Sequence, residues 1–410
     1  MQDRELYARI LGITDPWRVD RVDLKLEIGE VHIILGHAPE LRWPCPECGA
    51  LCTLHDHQPE RQWRHLDTCQ YKTILHAAPP RSNCPEHGPR VVKLPWTEPG
   101  SRFTALFEGL AINWLLATSK TEIRRLLGLS WDEVHHIQTR AVDRGMARRK
   151  DEPIENLGVD EKSFKKRHRY VTVVNDLDGT RVLYVAPGRG KKSLDGFWGT
   201  LSTEQRKAIR SVSIDMWDPY IDSIKEHVKN AEEKIVFDKF HVAAHLGKAV
   251  DTVRRRENKE LLGSNDRRLV NTRYRWLRNG SALSDEQWAA LRDADLKTAR
   301  AWALKETGMD LYLYQREHAA KAFFARWHGW AVRSRLEPMV EVAKMMKRRL
   351  KNILTYLKLQ ATNAKSEAIN AKIQWVKYTA RGFRNMANFI TAIYFHCGGL
   401  NMTPNYPSAT

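Results

Sequence analysis

The spacing of apolar residues changes along the chain and divides it into segments with different expected secondary structure. From Val159 onward, apolar and polar positions alternate, and the runs Tyr170 to Val174 and Arg181 to Val185 are rich in β-branched and aromatic residues. The pair Asp178 and Gly179 between these runs is typical of a hairpin turn. The period of two and the turn signal predict three consecutive strands in this part of the chain.

The same region continues as an alternation of helices and strands. A helical stretch from Ser193 to Ile209 precedes a short strand, Ser211 to Ile214. A helix that Asp218 caps and Pro219 begins then precedes another strand, Lys234 to Phe237. Three strands followed by helix, strand, helix and strand is the order of an RNase H-like core. We therefore expect an α/β fold with a mixed five-stranded sheet.

Helical periodicity fills the region that follows. Residues 242 to about 355 have an almost wholly helical pattern, and a last pair of helices is expected from about 363 to 396. The long helical segment separates the fifth strand from these final helices, where such a core needs only a short connection. We therefore expect an all-helical insertion domain that interrupts the RNase H-like core.

Two helices separated by a short turn precede the first strand of this core. Thr121 begins a helix that ends at Gly128, and a second helix runs from Ser130 to Arg140. This layout is that of a helix-turn-helix, whose second helix enters a DNA groove. An ordinary helical hairpin is the alternative. The residues that the second helix would offer to a groove are His135, His136, Thr139 and Arg140.

Two short motifs near the start of the chain, residues 45–49 and 84–88, have the same layout. Each has a cysteine, a proline, a glutamate, a second ligand and a glycine, and it resembles a zinc knuckle, in which a tight turn points two donors at one ion. Three thiolates and one imidazole complete a tetrahedral structural site for Zn²⁺, with the ligands Cys45, Cys48, Cys84 and His87. Ordinary turns with reduced cysteines are one alternative. The other is a ligand from Cys52, His55, His57, His65 or Cys69.

These segments predict six regions along the chain. They are a zinc-binding domain (1–100), a helix-turn-helix domain (101–150), the first part of the RNase H-like core (151–241), the insertion domain (242–355), the second part of the core (356–402) and a disordered tail (403–410).

Composition and charge narrow the class of partner. The chain has 410 residues, of which 67 are basic and 49 acidic, for a formal net charge of +18. A field of this sign concentrates polyanions, so nucleic acid is the leading partner. No apolar run approaches the roughly 18 residues that a membrane-spanning helix needs, and the first residues do not resemble a secretory signal. We expect a cytoplasmic, nucleoid-associated protein, in which the cysteines between Cys45 and Cys84 bind metal rather than form disulfides.

Two acidic residues lie on neighbouring strands of the predicted sheet. Asp160 belongs to the first strand, and Asp215 directly follows the fourth. In an RNase H order these strands are adjacent, so the two side chains are expected to meet at one edge. Phosphodiester chemistry needs a deprotonated attacking oxygen and a stabilised leaving oxygen, and two metal ions about 4 Å apart provide both. Asp160 and Asp215 are therefore candidate metal ligands.

The third carboxylate should come from a helix that crosses the same edge. Glu367, Asn370 and Gln374 form a polar stripe on a predicted helix, beside an apolar stripe that would pack on the sheet. Glu367 is therefore the third candidate. Other acidic residues are better explained by the opposite face of a strand, a hairpin tip, a helix cap or a solvated helix surface. These are Glu161, Asp176, Asp178, Asp218 and Asp222.

Four sequence blocks together resemble those of a known family. They are residues 159–161, 213–220, 238–242 and 367–370. In this order, and with the zinc motifs ahead of them, they resemble the blocks of prokaryotic insertion-sequence DDE transposases in the group with an N-terminal zinc finger. The resemblance spans most of the chain. One departure is His87, where a second Cys-x-x-Cys would be the plainer form.

The resemblance implies roles for individual residues. Asp160, Asp215 and Glu367 would form the catalytic triad and hold two Mg²⁺ or Mn²⁺ ions. Water would cleave the end of the element, and the freed 3′-hydroxyl would attack double-stranded target DNA. His241, in an Asp-x-x-His pair with Asp238, would contact the scissile phosphate or orient a ligand; a buried structural histidine is the alternative, and Asp238 is a rival for Asp215. Binding to terminal inverted repeats as a homodimer is also implied.

Basic residues on loops of the core and in the insertion are candidates for phosphate contacts. On the core loops these are Lys165, Lys166, Arg167, Arg189, Lys191 and Lys192. In the insertion they include Arg254, Arg255 and Arg256. A solvated basic face is the alternative for the insertion residues.

Together these observations favour a DNA transposase over two other functions. A transposase-derived DNA-binding regulator without catalysis has no reason to keep all three carboxylates. An RNase H-like structure-specific nuclease would cleave without joining strands, and it gives no reason for a site-reading module ahead of the core. We therefore expect an enzyme that binds terminal inverted repeats and carries out metal-dependent strand cleavage and strand transfer.

Overall fold

The structure is a computed structural model that describes residues 3–165, 169–237, 239–278, 280, 295–359 and 364–405. Lys166, Arg167 and Asp238, which the sequence singles out, lie outside the described residues, and so does the side chain of Lys165. Residues 406–410 of the predicted tail also lie outside them. Within the described ranges, no helix is both long and apolar enough to cross a membrane.

A β-rich unit with its own core begins the chain. Its elements are α1 (Asp3–Ile10), β1 (Trp17–Lys25), β2 (Glu30–His37), β3 (Trp43–Pro44), β4 (Leu51–Cys52), β5 (Leu54–His57), β6 (Arg61–Arg64), β7 (Lys72–Ala77), β8 (Pro80–Cys84) and β9 (Gly88–Val91). They form a four-stranded sheet β1-β2-β7-β6, a three-stranded sheet β5-β8-β9 and the hairpin β3-β4. Four tryptophans fill the core, namely Trp17, Trp43, Trp63 and Trp96.

Three helices follow this unit: α2 (Ala105–Ala117), α3 (Lys120–Leu127) and α4 (Trp131–Ala147). The turn between α3 and α4 has clear signals at both ends. Gly128 ends α3 in the left-handed region with φ 64°, and Ser130 begins α4 in a capping box with Glu133. Val134 and Ile137 of α4 are buried in the core that the three helices share. The layout is that of the predicted helix-turn-helix.

The β-rich middle of the chain forms a five-stranded sheet. Its strands are β10 (Asn156–Lys165), β11 (Arg169–Asp176), β12 (Arg181–Pro187), β13 (Ser211–Ile214) and β14 (Ile235–Phe237). Their order is β12-β11-β10-β13-β14, with antiparallel pairs among the first three and parallel pairs from β10 to β13 and from β13 to β14. This confirms the mixed five-stranded sheet and the strand order predicted for an RNase H-like core.

Four helices connect these strands: α5 (Lys191–Trp198), α6 (Thr203–Ala208), α7 (Asp218–His227) and α8 (Ala231–Lys234). The single helix predicted from Ser193 to Ile209 is two helices, because Ser202 starts a new one in a capping box with Gln205. The cap of α7 also differs by one position. Trp217 is the N-cap, and Asp218 is the first helical residue.

The segment after β14 is helical, as predicted. It contains α9 (Lys239–Gly263), α10 (Arg273–Leu277), α11 (Lys297–Met309), a 3₁₀ helix (Asp310–Leu313), α12 (Glu317–Arg333), α13 (Glu337–Arg348) and α14 (Leu350–Leu359). Its buried side chains form one continuous core with one face of the sheet. In α14, Asn352 donates hydrogen bonds to the main-chain oxygens of Glu232 and Ile235 at 3.0 and 3.4 Å. The boundary predicted at residue 355 therefore falls inside a helix that lies against β14.

Two final helices cover the other face of the sheet: α15 (Ala364–Thr379) and α16 (Met386–Cys397). Ile369 of α15 and Phe389 of α16 pack there against valines of β11 and β12. The first residues of the predicted tail lie against α4, where Arg148 donates to the main-chain oxygen of Thr403 and to Oδ1 of Asn405 at 2.5 and 2.6 Å. Thr403 and Asn405 therefore have hydrogen-bond partners next to α4, and the tail boundary at 403 stays a prediction.

Candidate catalytic site and zinc site

Asp160 and Asp215 lie side by side because two parallel strands reach the same edge. β10 pairs with β13 in a register that sets Val159 opposite Ile214, and the two aspartates are the next residues along the chain. Val159 and Ile214 belong to the core on the α7 side of the sheet. Because side chains alternate along a strand, the Asp160 carboxylate turns to the opposite face, and Asp215 directly follows the last residue of β13. The structure thus brings together two of the three predicted carboxylates.

Helix α15 crosses the face to which the Asp160 carboxylate turns. Gly158 permits a close approach, since a Cβ there would lie 2.7 Å from Oγ of Ser366. One turn further along α15, Nδ2 of Asn370 donates a hydrogen bond of 2.8 Å to Oδ2 of Asp160. Glu367 is exposed and lies one turn before Asn370 on the same side of the helix. Glu367 therefore lies on the helix that contacts β10 beside Asp160, and its part in the site stays a prediction.

The surroundings of Asp160 fit oxygen ligation of a divalent cation. The Asp160 and Asp215 side chains are both partly exposed, so a cation can reach them from solvent. Nζ of Lys162 lies 2.7 Å from Oδ2 of Asp160 and balances part of the negative charge. Beside the same carboxylate, Oδ1 of Asn370 is buried and has no hydrogen-bond partner within the described part of the chain. Carboxylate and carbonyl oxygens are the ligands that Mg²⁺ and Mn²⁺ prefer.

Two histidines of α9 face the end of β13. Nδ1 of His241 lies 3.5 Å from Oδ1 of Asp215, and both side chains are about one-third exposed. His245 is one turn further along α9; desolvation lowers its pKa, and the carboxylate of Asp215 opposes that shift. The structure thus places His241 beside Asp215, while its role in catalysis stays a prediction. His245 was missed, although its spacing of four residues from His241 on a helix was a usable signal.

Glu161 is a further acidic residue at this edge, and its alternation predicted only a structural role. Burial raises the pKa of Glu161, and the negative charges of Asp160 and Asp215 raise it further. Its Oε1 lies 3.8 Å from Nη1 of Arg189. Glu161 is on the opposite face of β10 from Asp160, as expected, but it belongs to the same electrostatic cluster. Its position directly after Asp160 was the signal that pointed to it.

The second cluster lies in the N-terminal unit, where two hairpin turns face each other. Cys45 and Cys48 belong to the turn between β3 and β4, and Cys84 and His87 to the turn between β8 and β9. The four ligand atoms all lie within 4.8 Å of one another. The Sγ atoms of Cys48 and Cys84 are 3.7 Å apart, and Sγ of Cys84 is 3.6 Å from Nδ1 of His87. Zn–S bonds of about 2.3 Å give tetrahedron edges of about 3.8 Å, so these residues fit a structural Zn²⁺ ion.

Local backbone chemistry prepares both turns for this role. Gly49 and Gly88 directly follow the second ligand of each pair and have φ values of 75° and 67°, which favour glycine. The backbone N–H of His87 donates to the sulfur of Cys84, and this contact lowers the pKa of the Cys84 thiol to about 6. The thiolate is the form that binds metal. The sequence of each knuckle therefore produces the turn, and the second knuckle also favours the thiolate form of Cys84.

The alternative zinc ligands considered from the sequence have other surroundings. Nδ1 of His65 lies 2.9 Å from Oγ1 of Thr104, at the start of α2. Nε2 of His57 lies 2.8 Å from Nε2 of His37. Cys52 is buried beside the zinc cluster but is not one of the four residues whose ligand atoms converge.

The four residues predicted to contact DNA from the second helix of the helix-turn-helix differ in their exposure to solvent. His136 is exposed, whereas His135 and Thr139 are partly buried. Arg140 turns inward and forms an ion pair with Glu108 of α2, with Nε 3.1 Å from Oε1. Glu108 is only 1% exposed, so its charge requires this partner. Arg140 is therefore a structural residue, contrary to the prediction of a groove contact.

The three arginines predicted to contact DNA from the insertion have different surroundings. Arg254 is buried and pairs with Asp251 at 2.8 Å, so it is not available to DNA and this part of the prediction is wrong. Arg255 is well exposed, with Asp251 3.4 Å away. Arg256 is exposed and pairs with Glu337 at 2.7 Å. Exposed ion pairs exchange readily with solvent and other partners, so the last two arginines remain candidates.

The basic residues on the core loops also differ in whether their charge is already paired with a carboxylate. Nζ of Lys191 lies 3.0 Å from Asp195 and 2.7 Å from Glu226, so its charge is already compensated. Lys192 is exposed, and Arg189 lies partly exposed beside the carboxylate cluster. Arg189 and Lys192 are therefore the described loop cations that are best placed for contact with a phosphate.

Three family models match consecutive parts of the chain. A model described as a transposase, the DDE domain of the ISL3 type, matches residues 157–393. A model described as the zinc-finger of transposase IS204/IS1001/IS1096/IS1165 matches residues 41–87, and one described as the helix-turn-helix domain of transposase family ISL3 matches residues 92–142. The transposase model covers the five-stranded sheet and its helices, and the zinc-finger model includes the four zinc ligands. The helix-turn-helix model covers α2, α3 and most of α4.

Similar proteins cover most of the chain. The transposase for insertion sequence element IS1557 of Mycobacterium tuberculosis is 32% identical over 370 residues, which are 83% of this chain and 82% of the relative. The transposase for insertion sequence element IS1001 of Bordetella parapertussis is 29% identical over 401 residues, or 96% and 98%. The solved Drosophila P element transposase strand transfer complex matches with a TM-score of 0.36 and 10% identity, over 73% of this chain and 93% of that chain. Because the transposase model matches more than half of the chain, and a relative above 30% identity covers most of it, the protein belongs to the ISL3 family of DDE transposases.

Proposed function

We propose that Asp160, Asp215 and Glu367 hold two Mg²⁺ or Mn²⁺ ions and that this centre carries out the DNA cleavage and strand transfer of the transposase. The observation that carries the proposal is the contact between α15 and β10. The hydrogen bond from Asn370 to Asp160 ties the helix that bears Glu367 to the strand edge where both aspartates lie. The three carboxylates thus come from two neighbouring strands and from the helix that contacts one of them, which supports their joint role in metal binding.

The residues of the centre have separable tasks in this proposal. Two divalent cations supply an activated attacking oxygen and a stabilised leaving oxygen. Asp160 and Asp215 come from adjacent strands, so the sheet fixes their separation. Glu367 comes from a helix, so the packing of α15 sets its distance from the other two. Lys162 now neutralises Oδ2 of Asp160 and has to give up that position to a cation.

His241 has a supporting task beside Asp215. Its ring is 3.5 Å from Oδ1 of Asp215 and about one-third exposed. From this position one ring nitrogen orients the aspartate while the other faces solvent, where a scissile phosphate would lie. His241 is therefore a candidate for contact with the phosphate oxygen.

The modules proposed to bind DNA, which are the zinc module and α4, precede the catalytic sheet along the chain. His136 is exposed on α4. We assign to these modules the recognition of the element's terminal inverted repeats, and to the exposed cations Lys192 and Arg255 contacts with DNA phosphates. Pairing of two element ends requires two copies of each module, which a homodimer supplies.

The test uses purified full-length protein with a duplex that carries the end of the element and with Mg²⁺. Wild-type protein is expected to nick the element end and to join it to target DNA. Asp215→Asn and Glu367→Gln keep the size of each side chain and remove its charge, and each is expected to reduce cleavage roughly 100- to 1000-fold, on the scale of losses for removal of a group that stabilises transition-state charge.

Asp222→Asn is the matched control. Asp222 is exposed on α7, close in sequence to Asp215, and it is assigned no role in metal binding. This variant is expected to keep wild-type activity. Full activity of Asp215→Asn or Glu367→Gln would show that the metal centre lies elsewhere, and equal losses in all three variants would show a general effect of charge.

A further inference from the structure

An arginine stacked between two aromatic rings lies next to the carboxylate cluster. The guanidinium carbon of Arg189 is 4.6 Å from the ring centroid of Tyr170 and 5.0 Å from that of Trp217. Tyr170 belongs to β11, Arg189 to the loop after β12, and Trp217 follows Asp215 by two residues. Three separate elements thus form one aromatic and cationic surface, which we call the Arg189 stack.

The Arg189 stack is held in place by backbone hydrogen bonds. The indole N–H of Trp217 donates to the main-chain oxygen of Arg189 at 2.9 Å. The main-chain N–H of Gly188 donates to the oxygen of Tyr170 at 2.8 Å, and the hydroxyl of Thr172 donates to the oxygen of Gly188 at 3.0 Å. The ring of Trp217 and the loop that carries Arg189 are therefore fixed relative to β11 before any ligand binds.

This surface remains open to solvent despite its aromatic content. Trp217 is 38% exposed, whereas most tryptophans of the described chain are buried, and its neighbour Arg189 is similarly exposed. The carboxylate of Glu161 is 3.8 Å from the guanidinium, beyond hydrogen-bond distance. The guanidinium therefore keeps donors for an external acceptor, while the indole presents apolar surface to solvent.

We propose that the Arg189 stack binds an unpaired nucleotide of the DNA substrate beside the catalytic centre, with its base against Trp217 and its phosphate on Arg189. Every base has a π-face, so stacking on an exposed indole needs no particular base. The planar guanidinium suits phosphate oxygens. A base inside a duplex has both faces covered by its neighbours, so the site selects a nucleotide that has left the stack. This inference deepens the proposed function, on which it rests, by naming the form of DNA beside Asp215.

The acidic cluster adjoins the Arg189 stack. No carboxylate closer than that of Glu161 pairs with Arg189 among the described residues, and the charges of Asp160 and Asp215 act on Glu161 in turn. A phosphate held by Arg189 therefore lies at the border of the acidic cluster, near the cations that this cluster is proposed to hold. The adjoining phosphodiester is then within reach of the catalytic carboxylates.

The test measures binding separately from cleavage. Fluorescence anisotropy compares a labelled twelve-nucleotide oligothymidylate with a backbone of equal length and charge that has abasic positions throughout. Stacking is worth about 1–3 kcal/mol per base, so wild-type protein should bind the base-bearing strand roughly 5- to 150-fold more tightly. Trp217→Ala should lose most of this preference, and Trp217→Phe should retain a part of it. Arg189→Gln should weaken binding of both strands.

Trp375→Ala is the matched control, since Trp375 is also 38% exposed but packs edge-on against His396. It should keep the full preference for bases. A wild-type protein without such preference, or a Trp217→Ala variant that keeps it, would overturn the inference. Because no cleavage is measured, this result is independent of the triad test. Cleavage lost in Asp215→Asn with an unchanged base preference in Trp217→Ala would leave the proposed function intact and remove only the nucleotide site.

Discussion

Asn370 donates a hydrogen bond of 2.8 Å to Asp160 across the boundary between α15 and β10, while its Oδ1 is buried without a partner in the described structure. Removal of this amide should leave Asp160 free to turn and should loosen the position of Glu367. Groups that orient metal ligands typically contribute 10- to 100-fold to metal affinity or activity. Asn370→Ala should therefore need roughly ten times more Mg²⁺ for half-maximal cleavage.

A titration of Mg²⁺ in the cleavage assay measures this effect. Gln374→Ala is the control, because Gln374 is exposed one turn further along the polar stripe of α15. An Asn370→Ala variant with the wild-type Mg²⁺ requirement would show that the hydrogen bond does not orient a metal ligand.

Loss of one zinc ligand should unfold the part of the N-terminal unit that surrounds the metal site. Cys84→Ser removes a thiolate whose sulfur lies 3.6 Å from Nδ1 of His87 and 3.7 Å from Sγ of Cys48. Such small metal units fold together with metal binding, so this variant should lose its single zinc ion and the ordered structure around β3, β4, β8 and β9. Metal analysis and limited proteolysis measure the two effects.

Cys69→Ser provides the comparison for zinc, because Cys69 is exposed and lies outside the converging ligands. It should keep one zinc ion per chain and wild-type resistance to protease. A Cys84→Ser protein with a full equivalent of zinc would contradict the assignment.

Glu108 should be one of the most sensitive positions of the helix-turn-helix. It is 1% exposed, and both Arg140 and Arg144 pair with it. Glu108→Gln removes the carboxylate that pairs with Arg140 and leaves Arg144 only its pair with Glu98, and loss of one partner of a buried pair typically costs about 3–5 kcal/mol. Glu122→Gln removes the exposed partner of Arg125 and should cost at most about 1 kcal/mol.

Urea unfolding followed by the fluorescence of Trp131 and its neighbours compares the two variants. The midpoint should fall much further for Glu108→Gln than for Glu122→Gln. Equal shifts would show that the inward position of Arg140 does not stabilise the fold, and they would return this arginine to the candidates for DNA contact.

The buried side chain of His65 should make the folded protein less stable in mild acid. Burial lowers the pKa of His65 to about 4, from an ordinary value of 6.5. Between these pH values the unfolded chain binds a proton that the folded chain excludes, so stability is present above pH 6.5 and is lost as the pH falls toward 4. The shift corresponds to a loss on the order of 3 kcal/mol.

The hydrogen bond of His65 suggests a substitution that isolates this effect. Oγ1 of Thr104 accepts from the N–H of Phe107 and can donate its own proton to Nδ1 of His65, and burial favours the neutral form of this ring. His65→Asn keeps an acceptor at this position and does not titrate. The stability of this variant should depend less on pH between 6.5 and 4 in denaturant unfolding, and identical pH profiles for the two proteins would contradict the assignment.

Local signals made the sheet and the zinc knuckles predictable from the sequence. The strands of the core alternate with a period of two, and the turn at Asp178 and Gly179 fixes the hairpin that joins β11 and β12. Each knuckle needs only five consecutive residues, with Gly49 and Gly88 in the left-handed region. The helix predicted from Ser193 to Ile209 was wrong because a capping box can lie within an otherwise continuous helical pattern.

Interactions between distant residues were not predictable in the same way. Arg140 has the spacing of a groove-facing residue, but its partner Glu108 is 32 positions earlier and on another helix. The Arg189 stack joins rings from β11 and from the loop before α7, which are far apart in the sequence. Such contacts depend on how helices and loops pack, and this packing cannot be predicted from the local pattern of a single sequence.

The central claim is that Asp160, Asp215 and Glu367 form one divalent metal centre. The most direct measurement is anomalous X-ray scattering from Mn²⁺ in crystals of the protein with element-end DNA. The account predicts two peaks about 4 Å apart, with Asp160 and Asp215 between them and Glu367 on at least one ion. Mn²⁺ peaks that are ligated by other residues, with these three carboxylates free of metal, would contradict it.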